Sequence, residues 1–306
     1  MPDSQIQSID ATTRFCAVFG HPIQHSASPT MQNAGIAALG LNWRYLACEV
    51  RPDDLAEAIN GAKAMKFLGL NLTVPHKLLA LKMCDELDAS AKLWGAVNTI
   101  RFETKTKSSD WVPLAKISAD EISEVRSHGF NTDADAITQA IREDLKLEIQ
   151  AKRILLLGAG GAGRVAAMKF ATDGASEIFL INRTQHKAEE LAAEMRELFP
   201  NVRLETKYPR GEVDLLVNAT SAGLKESDPI PLDEKQFPLK STRCVYDMIY
   251  RPAETPLLAA AKKAGCRTAN GLGMLLYQGA KALELWSEKP APIEVMRSAL
   301  EKNIYG

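Results

Sequence analysis

The chain has 306 residues, of which 46% are hydrophobic and 25% charged, a composition that excludes a disordered protein and is typical of a globular one. At this length we expect two domains of ordinary size, each with its own core. A formal net charge of −1 at pH 7 gives no broad electrostatic field, so we predict neither a nucleic-acid partner nor a membrane-surface partner.

The N-terminal stretch 1–15 has no apolar segment after a basic one, and no apolar run reaches the length of a bilayer crossing. We therefore predict no secretory signal and a cytoplasmic location. The five cysteines are scattered and form no CxxC pair, which argues against a disulfide framework and a zinc site. No bound metal is predicted.

Strand and helix patterns alternate in the first part of the chain. Residues 14–20 predict a strand that stops at Gly20, and Ser28 followed by Pro29 predicts a helix start with Ser28 as N-cap. The patterns then predict a strand at 42–50, a helix at 52–64, a strand at 67–73 and a helix from Pro75 onward. This alternation predicts an α/β domain.

The segment between Thr99 and Asn131 is rich in Thr, Lys, Ser and Asp and has little regular period. We expect a surface excursion or an extended hairpin there. The helical period returns at 136–147, and the later patterns predict strands at 153–157, 177–181, 213–218 and 245–249 and helices at 187–198, at 274–286 and from Pro292. A second α/β domain, of the Rossmann type, is expected over these strands.

A glycine-rich turn follows the strand at 153–157 and precedes a helical pattern, which is the context that a dinucleotide fingerprint requires. It consists of Gly158, Ala159, Gly160, Gly161, Ala162 and Gly163. Such glycines allow a tight turn, a close approach of the backbone to a pyrophosphate and close packing of helix on strand. The alternative is a plain flexible turn. We place this nucleotide-binding domain at residues 133–270 and a substrate-binding domain at 1–132, completed by 271–306.

The residues after the next strand indicate which nucleotide is bound. An NAD site usually has an acidic residue about twenty positions past the glycines. Here Asn182, Arg183 and Thr184 occupy that place, and a guanidinium is suited to a phosphate. The sequence thus predicts NADP, the alternative being a solvated Arg183 before a helix that Thr184 caps.

Lys77 follows a strand end that carries polar side chains. Asn71 and Thr73 share one face of the strand by its period of two, and Pro75 then turns the chain so that Lys77 faces the same region. The ends of strands are where α/β folds bind ligands. On its own, a lysine at such a position is more often an ordinary solvated side chain.

Seven blocks in the chain resemble those of the shikimate dehydrogenase family and occur in the family's order. They are residues 20–29, 71–77, 95–99, 131–133, 218–221, 247–250 and 271–278. The resemblance extends over most of the chain. It implies an NADP-dependent enzyme that reduces 3-dehydroshikimate to shikimate, in the pathway to the aromatic amino acids and chorismate.

The resemblance also implies roles for individual residues. Lys77 and Asp133 would form the catalytic pair. The residues implied to bind the substrate are Ser26, Ser28, Asn71, Thr73, Asn98, Tyr250 and Gln278. Besides the glycine-rich turn and residues 182–184, those implied to bind the cofactor are Asn218, Ala219, Thr220, Ser221, Met248 and Gly271. For Ser26 and Ser28 the alternative role is helix capping.

The implied chemistry is a hydride transfer from the nicotinamide combined with a proton transfer. An ammonium at Lys77 can stabilise the developing alkoxide and donate the proton. In the reverse direction a neutral Lys77 would accept it, and a nearby carboxylate opposes the lowered pKa that this requires. Whether Lys77 or Asp133 is the base stays open.

The chain departs from the family pattern at three places. Gln32 stands where His is common, Ala136 where Gly is frequent, and the stretch 103–128 is longer than usual. A quinate or quinate/shikimate dehydrogenase is the alternative within the family, and a cofactor-dependent sensor without turnover is the alternative from another class. The oligomeric state is left open, with a homodimer as one arrangement.

Overall fold

The structure is a computed structural model that describes residues 9–225 and 227–306. Residues 1–8, part of the stretch for which no secretory signal is predicted, lie outside the described residues. The chain divides into two compact units. The first unit holds the described residues up to Thr132 together with Gln278–Gly306, and the second unit holds Asp133–Tyr277. Each unit combines a sheet with helices, which confirms the predicted α/β class.

The first unit is built on a mixed sheet. In chain order its elements up to residue 132 are β1 (Arg14–Gly20), α1 (Ser28–Ala38), β2 (Trp43–Glu49), α2 (Leu55–Ala64), β3 (Gly69–Leu72), β4 (Glu86–Leu87), α3 (Ala89–Trp94), β5 (Thr99–Lys105), β6 (Trp111–Pro113) and β7 (Val125–Phe130). The strand order is β2-β1-β3-β5-β7-β4, with β6 paired to β5. Strands β2, β1 and β3 are parallel, and β5 runs antiparallel to β3 and β7.

Two predictions about helix starts in this unit are wrong. The segment after Pro75 is a series of turns that ends in a short 3-10 helix at Leu79–Lys82, not an α-helix. The reason is that the carbonyl of Lys77 accepts a hydrogen bond from the amide of Val97 (2.9 Å) and so does not serve an α-helical bond. Ser28 is not an N-cap either, because Ala27 holds that position and Ser28 is the first residue of α1.

The segment between Thr99 and Asn131 is more regular than predicted. Strands β5 and β6 form the expected hairpin, but β7 also pairs with β5 along most of its length. The paired positions Arg101 with His128 and Glu103 with Arg126 put charged side chains on one face of these strands. In β5 they alternate with the apolar Ile100 and Phe102, so the sequence does carry a strand pattern there, whereas the pairing with β7 becomes visible only in the structure.

The second unit has the strand order of a dinucleotide-binding domain. Its elements are α4 (Asp133–Leu145), β8 (Arg153–Leu157), α5 (Gly161–Thr172), β9 (Glu177–Ile181), α6 (Gln185–Leu198), β10 (Arg203–Glu205), β11 (Val213–Asn218), β12 (Thr242–Asp247), α7 (Pro256–Lys263), β13 (Arg267–Asn270) and the start of α8 (Leu272–Ser287). All strands are parallel, in the order β10-β9-β8-β11-β12-β13. This doubly wound order confirms the predicted Rossmann-type fold.

The last two helices of the chain supply part of the first unit's core. In α8 the indole of Trp286 donates to the carbonyl of Ile100 in β5 (3.0 Å). The final helix α9 (Ile293–Tyr305) packs on α1, where Met296 lies directly against Gly35. Among the described helices, none combines the length and apolar character that a bilayer crossing needs.

Candidate active site

A buried polar cluster lies where β3, β5 and β7 of the first unit meet. Asn98 precedes β5, and its side-chain oxygen accepts a hydrogen bond from the amide of Thr132 (2.8 Å). The side-chain nitrogen of Asn98 donates to the hydroxyl of the same Thr132 (3.0 Å). Thr99 lies beside both and donates to the Asn98 oxygen (3.2 Å). Asn98 is therefore held in one orientation by its neighbours in the first unit.

Asn71 in β3 is locked into this cluster from the other side. Its oxygen accepts from the hydroxyl of Tyr45 (2.7 Å), and its nitrogen donates to Thr99 (3.0 Å) and to the carbonyl of Asn98 (3.3 Å). Tyr45 is fully buried, which raises its pKa well above the ordinary value, so its hydroxyl stays a donor. Both hydrogens of the Asn71 side-chain amide are thus bonded within the unit. A ligand could bond only to the second lone pair of its oxygen.

Lys77 is positioned by the backbone on both sides of it. The amide of Thr73 donates to Phe19 in β1 (3.0 Å), the amide of His76 donates to Thr73 (2.8 Å), and Lys77 accepts from Val97 as described above. The side chain of His76 is buried and its Nε2 lies 2.9 Å from the carbonyl of Val50. Burial lowers the pKa of His76, which favours a neutral ring that donates through Nε2.

The loop with Ser26 and Ser28 lies against the turn that carries Lys77. A Cβ added at Gly20 would come within 2.5 Å of the Thr73 side chain, and the amide of His21 donates to the carbonyl of Val74 (3.1 Å). Ser28 is buried at the start of α1, and its amide points to the hydroxyl of Ser26 (3.4 Å). The structure therefore brings together the serine loop and the lysine turn.

Gln278 belongs to the same region through its backbone. Its carbonyl accepts a hydrogen bond from the hydroxyl of Thr132 (3.0 Å). The next residue, Gly279, accepts from the side-chain nitrogen of the buried Gln32 (2.8 Å). Gln32, one of the departures from the family pattern, thus fixes α8 against α1 next to Gln278.

Asp133 begins the second unit and is the first residue of α4. It is buried, with 5% of its surface exposed, and it follows directly on Thr132, whose amide is bound by Asn98. Because Thr132 is held by Asn98, the peptide bond that joins Thr132 to Asp133 has a fixed position. Ala136, another departure from the family pattern, is a buried residue of the same helix.

The glycine-rich turn of the second unit connects β8 to α5. Gly158 has a φ of +109°, which favours glycine, and a Cβ at Gly163 would overlap the carbonyl oxygen of Gly158. By contrast, no atom lies within 4 Å of the Cβ positions at Gly160 and Gly161, among the described residues. Gly158 and Gly163 are therefore needed for the turn and for packing. Gly160 and Gly161 face open space at the N-terminus of α5, where a phosphate can bind.

The residues after β9 lie beside this turn. The side-chain oxygen of Asn182 accepts from the amide of Ala159 (3.1 Å), and its nitrogen donates to the carbonyl of Thr184 (2.8 Å). Thr184 is the N-cap of α6, although its side chain makes no capping hydrogen bond. Arg183 between them is exposed and lines a cavity of about 600 Å³ that also touches Thr220 and Ser221. Asn182 therefore fixes the distance between the turn and Arg183.

The remaining predicted cofactor residues lie at the ends of β11, β12 and β13. The amide of Met248 donates to the carbonyl of Asn218 (3.0 Å), and the amide of Gly271 donates to Ile249 (3.1 Å). A Cβ at Gly271 would overlap the carbonyl of Met248, so only glycine fits there. The structure thus gathers the loops that carry Ala219, Met248, Tyr250 and Gly271 at one edge of the sheet.

Several residues of these clusters have no role assigned from the sequence, although Thr99, Thr132 and Asp247 lie within the family blocks. Tyr45, Thr99 and Thr132 hold the polar cluster, and Asp247 holds the loops after β11 and β12. Asp247 could be found from the sequence as a polar residue that ends an apolar strand. Tyr45 has no such signal, because an aromatic residue in mid-strand is ordinary. The described residues contain no group of three or more His, Cys, Asp or Glu suited to a metal ion.

Three family models match the chain. Residues 18–100 match the substrate-binding domain of shikimate dehydrogenase, residues 139–226 match shikimate/quinate 5-dehydrogenase, and residues 271–301 match the C-terminal domain of shikimate 5′-dehydrogenase. The three matches follow one another in the chain order that the predicted blocks have.

Individual relatives match over nearly the whole chain. The NADP(+)-dependent shikimate dehydrogenase of Methanopyrus kandleri is 40% identical over 304 residues, which cover 97% of this chain and 98% of the relative. A crystal structure of a shikimate dehydrogenase with NADP+ has a TM-score of 0.82 and 36% identity, and the match covers 97% of this chain and 98% of that one. The Thermus thermophilus enzyme with NADP(H) and shikimate has a TM-score of 0.77 and 33% identity, over 94% of this chain and 99% of that one.

Proposed function

Because the chain belongs to the shikimate dehydrogenase family, we propose that it is an NADP-dependent oxidoreductase that interconverts 3-dehydroshikimate and shikimate. It would serve the biosynthesis of chorismate and the aromatic amino acids. The observation that carries the proposal is the fixed position of Lys77, at the carboxyl end of β3, beside the serine loop.

We propose that the substrate is a small carboxylated ring. The hydroxyls of Ser26 and Ser28 are suited to a carboxylate, and Thr73, Asn98 and Gln278 to ring hydroxyls or the carboxylate. Asn71 would contribute mainly by holding Asn98 in place, since its amide hydrogens are already bonded. Tyr250 would add a further hydroxyl contact. These roles are supported by the resemblance and by the arrangement within each unit.

The proton step falls to the side chains of this protein. A bound nicotinamide nucleotide supplies and accepts the hydride. During reduction the Lys77 ammonium stabilises the negative charge that develops on the ketone oxygen and donates a proton to it. We propose that Asp133 acts with Lys77 by hydrogen-bonding a substrate hydroxyl. In the reverse direction one of these two groups accepts the hydroxyl proton.

The second unit fits an NADP molecule. The open space at Gly160 and Gly161 leaves room for a pyrophosphate at the N-terminus of α5. Arg183 can bind a 2′-phosphate through two parallel hydrogen bonds, and the cavity it lines has the size of a nucleoside site. Ala162, Ala219, Thr220, Ser221, Met248 and Gly271 would complete the cofactor contacts.

Quinate is the alternative substrate, since one matching family model is described for both shikimate and quinate dehydrogenases. A sensor without turnover is the alternative from another class, and the presence of both Lys77 and Asp133 argues against it. The cytoplasmic location and a homodimer stay predictions, which cell fractionation and sedimentation would check.

Initial rates of nicotinamide absorbance change test the proposal directly. Shikimate and quinate would each be offered with NADP and with NAD. We expect the fastest turnover with shikimate and NADP, and a fall of about 10²–10⁴-fold in kcat for Lys77→Ala, the usual range for a lost acid–base group. Lys82→Ala, at an exposed lysine of the adjacent 3-10 helix, is the matched control and should keep full activity.

Each other outcome would revise the proposal in a definite way. A preference for quinate would move the substrate within the family. Full activity of Lys77→Ala would exclude Lys77 as the proton donor. A wild-type protein that binds NADP but turns over none of the pairings would favour the sensor.

A further inference from the structure

Three neighbouring strands of the second unit end at the same level in polar residues. Asn218, Asp247 and Asn270 are the last residues of β11, β12 and β13, and they are paired with one another across the sheet. Each side chain turns back to bind the backbone of a loop beyond the strands. This row lies at the carboxyl edge of the sheet, where doubly wound folds bind their ligands.

Asp247 is the centre of the row. Its carboxylate is 0% exposed and accepts from the side chain of Asn218 (3.0 Å), the amide of Ile249 (3.1 Å) and the hydroxyl of Thr255 (2.7 Å). All three donors are neutral. Burial raises the pKa of Asp247, and the three hydrogen bonds oppose that rise.

A buried carboxylate that is held by neutral donors alone is costly for a fold. An asparagine would have nearly the same shape without the charge. It would, however, present a nitrogen to Thr255, whose hydroxyl hydrogen would then lose its acceptor. The two carboxylate oxygens of Asp247 let one side chain hold two loops and a helix start at once, which explains why the more costly residue is present.

Asp247 holds the loop after β11 through Asn218. The oxygen of Asn218 accepts from the amide of Thr220 (3.0 Å) and from its hydroxyl (2.7 Å), and the nitrogen of Asn218 donates both to Asp247 and to the carbonyl of Ala222 (3.1 Å). Without Asp247, Asn218 would lose one of the four hydrogen bonds that fix its amide plane, and the only one of them that anchors it to the neighbouring strand β12. The backbone between Ala219 and Ala222 depends on that plane.

Asp247 also holds the loop after its own strand. Its bond to the amide of Ile249 fixes the residue between Met248 and Tyr250. The carbonyl of Ile249 in turn accepts the amide of Gly271, which is pressed against Met248. Each loop that carries a residue proposed for this end of the cofactor is therefore connected to Asp247 by at most two hydrogen bonds.

We propose that Asp247 is a positioning residue that fixes the backbone around the nicotinamide end of NADP. It does not touch the cofactor or the substrate itself. The proposal rests on the proposed function, because it takes the edge of the sheet beyond β11 and β12 as the nicotinamide site. The two ends of the cofactor are separated only in part. Among the described residues, Arg183 and Asn182 at the adenosine end have no hydrogen bond to Asp247, and the loop after β11 is what the Arg183 cavity shares with it, through Thr220 and Ser221.

Binding measurements on Asp247→Asn test this separation. In calorimetric titrations, the Kd for NADP depends on both ends of the site. The Kd for adenosine 2′,5′-bisphosphate depends on the adenosine end alone. We expect the Kd for NADP to rise about tenfold or more, because a hydrogen bond to a charged group contributes enough for such a change. The Kd for the bisphosphate should rise by a clearly smaller factor, because the adenosine end depends on Asp247 only through the loop after β11. The kcat should fall as well, without a matching change in the KM for shikimate.

Asp214→Asn is the matched control. Asp214 lies near the opposite end of β11, where its carboxylate accepts the amide of Arg153 (3.0 Å). Its replacement should leave both Kd values unchanged. Thr255→Val is the second variant, in case Asp247→Asn does not fold. It removes one of the three donors and should weaken NADP binding selectively, by a smaller factor.

The outcomes distinguish this inference from the proposed function. A loss of NADP affinity that clearly exceeds the loss of bisphosphate affinity supports the positioning role. Unchanged NADP binding in both variants overturns it, and so does an equal loss of NADP and bisphosphate affinity, which would indicate a general weakening of the unit. If the wild-type protein binds neither compound, the proposed function itself fails.

Discussion

Arg183 is an exposed side chain between two residues that are fixed to the glycine-rich turn and to α6. The backbone around it is therefore set before any ligand binds, and only the guanidinium has to be ordered. A guanidinium that meets a 2′-phosphate through two hydrogen bonds adds affinity for NADP that NAD cannot gain. The choice between the two cofactors should accordingly depend on this one residue.

Arg183→Ala should raise the KM for NADP about 10–100-fold, because hydrogen bonds to a charged group contribute roughly 1.5–3 kcal/mol. The KM for NAD should not change. Steady-state kinetics with both cofactors at saturating shikimate would measure this, with Arg210→Ala as control at another exposed arginine of the second unit. An equal loss with NADP and NAD would show that Arg183 does not contact the 2′-phosphate.

The single residues show how far the sequence alone can predict the site. Lys77 and Arg183 stand next to strands with a clear apolar pattern, so their neighbourhood is predictable. Tyr45 and Thr99 are not, because their importance arises from partners that are distant in sequence: Asn71 is 26 residues from Tyr45 and 28 from Thr99. A residue that acts only by holding another one leaves no local signal.

At the scale of secondary structure, tertiary hydrogen bonds explain where the prediction is wrong. The turn after Pro75 has the composition of a helix, and the carbonyl of His76 still accepts from the amide of Ala80. The carbonyl of Lys77, however, accepts from Val97, and the side chain of His76 is held by the carbonyl of Val50. Intrinsic helix propensity amounts to less than about 0.7 kcal/mol per residue for such residues, so a few such bonds outweigh it. The strands β8, β9 and β11 are predicted well because they are apolar on both faces.

A buried ion cluster holds β5 and β7 together. Glu103, 1% exposed, meets Arg126 (2.7 Å), His128 (3.1 Å) and Arg101. Burial alone would raise the pKa of Glu103, but hydrogen bonds from His128, Arg101 and Arg126 lower it to about 2. The cluster lies within the stretch 103–128 and next to it, so charge holds the longer stretch to the sheet together with the apolar packing of buried residues such as Leu114.

Glu103→Gln should lower the free energy of unfolding at pH 7 by about 1.5–3 kcal/mol, because it leaves the partly buried Arg101 and Arg126 without their carboxylate. The lowered pKa means that the folded state binds this proton less readily than the unfolded state. The stabilisation from Glu103 is thus complete above its ordinary pKa near 4.5 and is lost as the pH falls toward about 2.

Urea unfolding at several pH values would measure both effects. Between pH 5 and pH 2 the wild-type protein should lose stability more steeply than Glu103→Gln. Glu57→Gln, at an exposed position in α2, is the control and should follow the wild type. Parallel pH profiles of wild type and Glu103→Gln would contradict the role of the ion cluster.

At the scale of the whole molecule, helices α8 and α9 complete the core of the first unit, although most of that unit lies before residue 133. The side chain of Met296 in α9 is fully buried against Gly35 of α1, and Trp286 of α8 bonds to β5. Periodicity predicts that these helices exist, but it does not indicate which core they join, since an apolar stripe fits any apolar surface of similar shape. That the first unit consists of two separate segments of the chain becomes visible only in the tertiary structure.

Met296→Ala should destabilise the first unit selectively, by about 2–5 kcal/mol, because it leaves a cavity between α9 and α1. The four tryptophans of the chain, Trp43, Trp94, Trp111 and Trp286, all lie in the first unit, so tryptophan fluorescence during urea unfolding reports on that unit alone. The midpoint of the urea transition should fall, whereas the affinity of the second unit for adenosine 2′,5′-bisphosphate in buffer should not change.

Met65→Ala is the control, at a methionine of the first unit that is 66% exposed, and it should leave the midpoint unchanged. An unchanged midpoint in Met296→Ala would mean that α9 contributes little to the core, and a parallel loss of nucleotide affinity would mean that the two units are not stabilised separately.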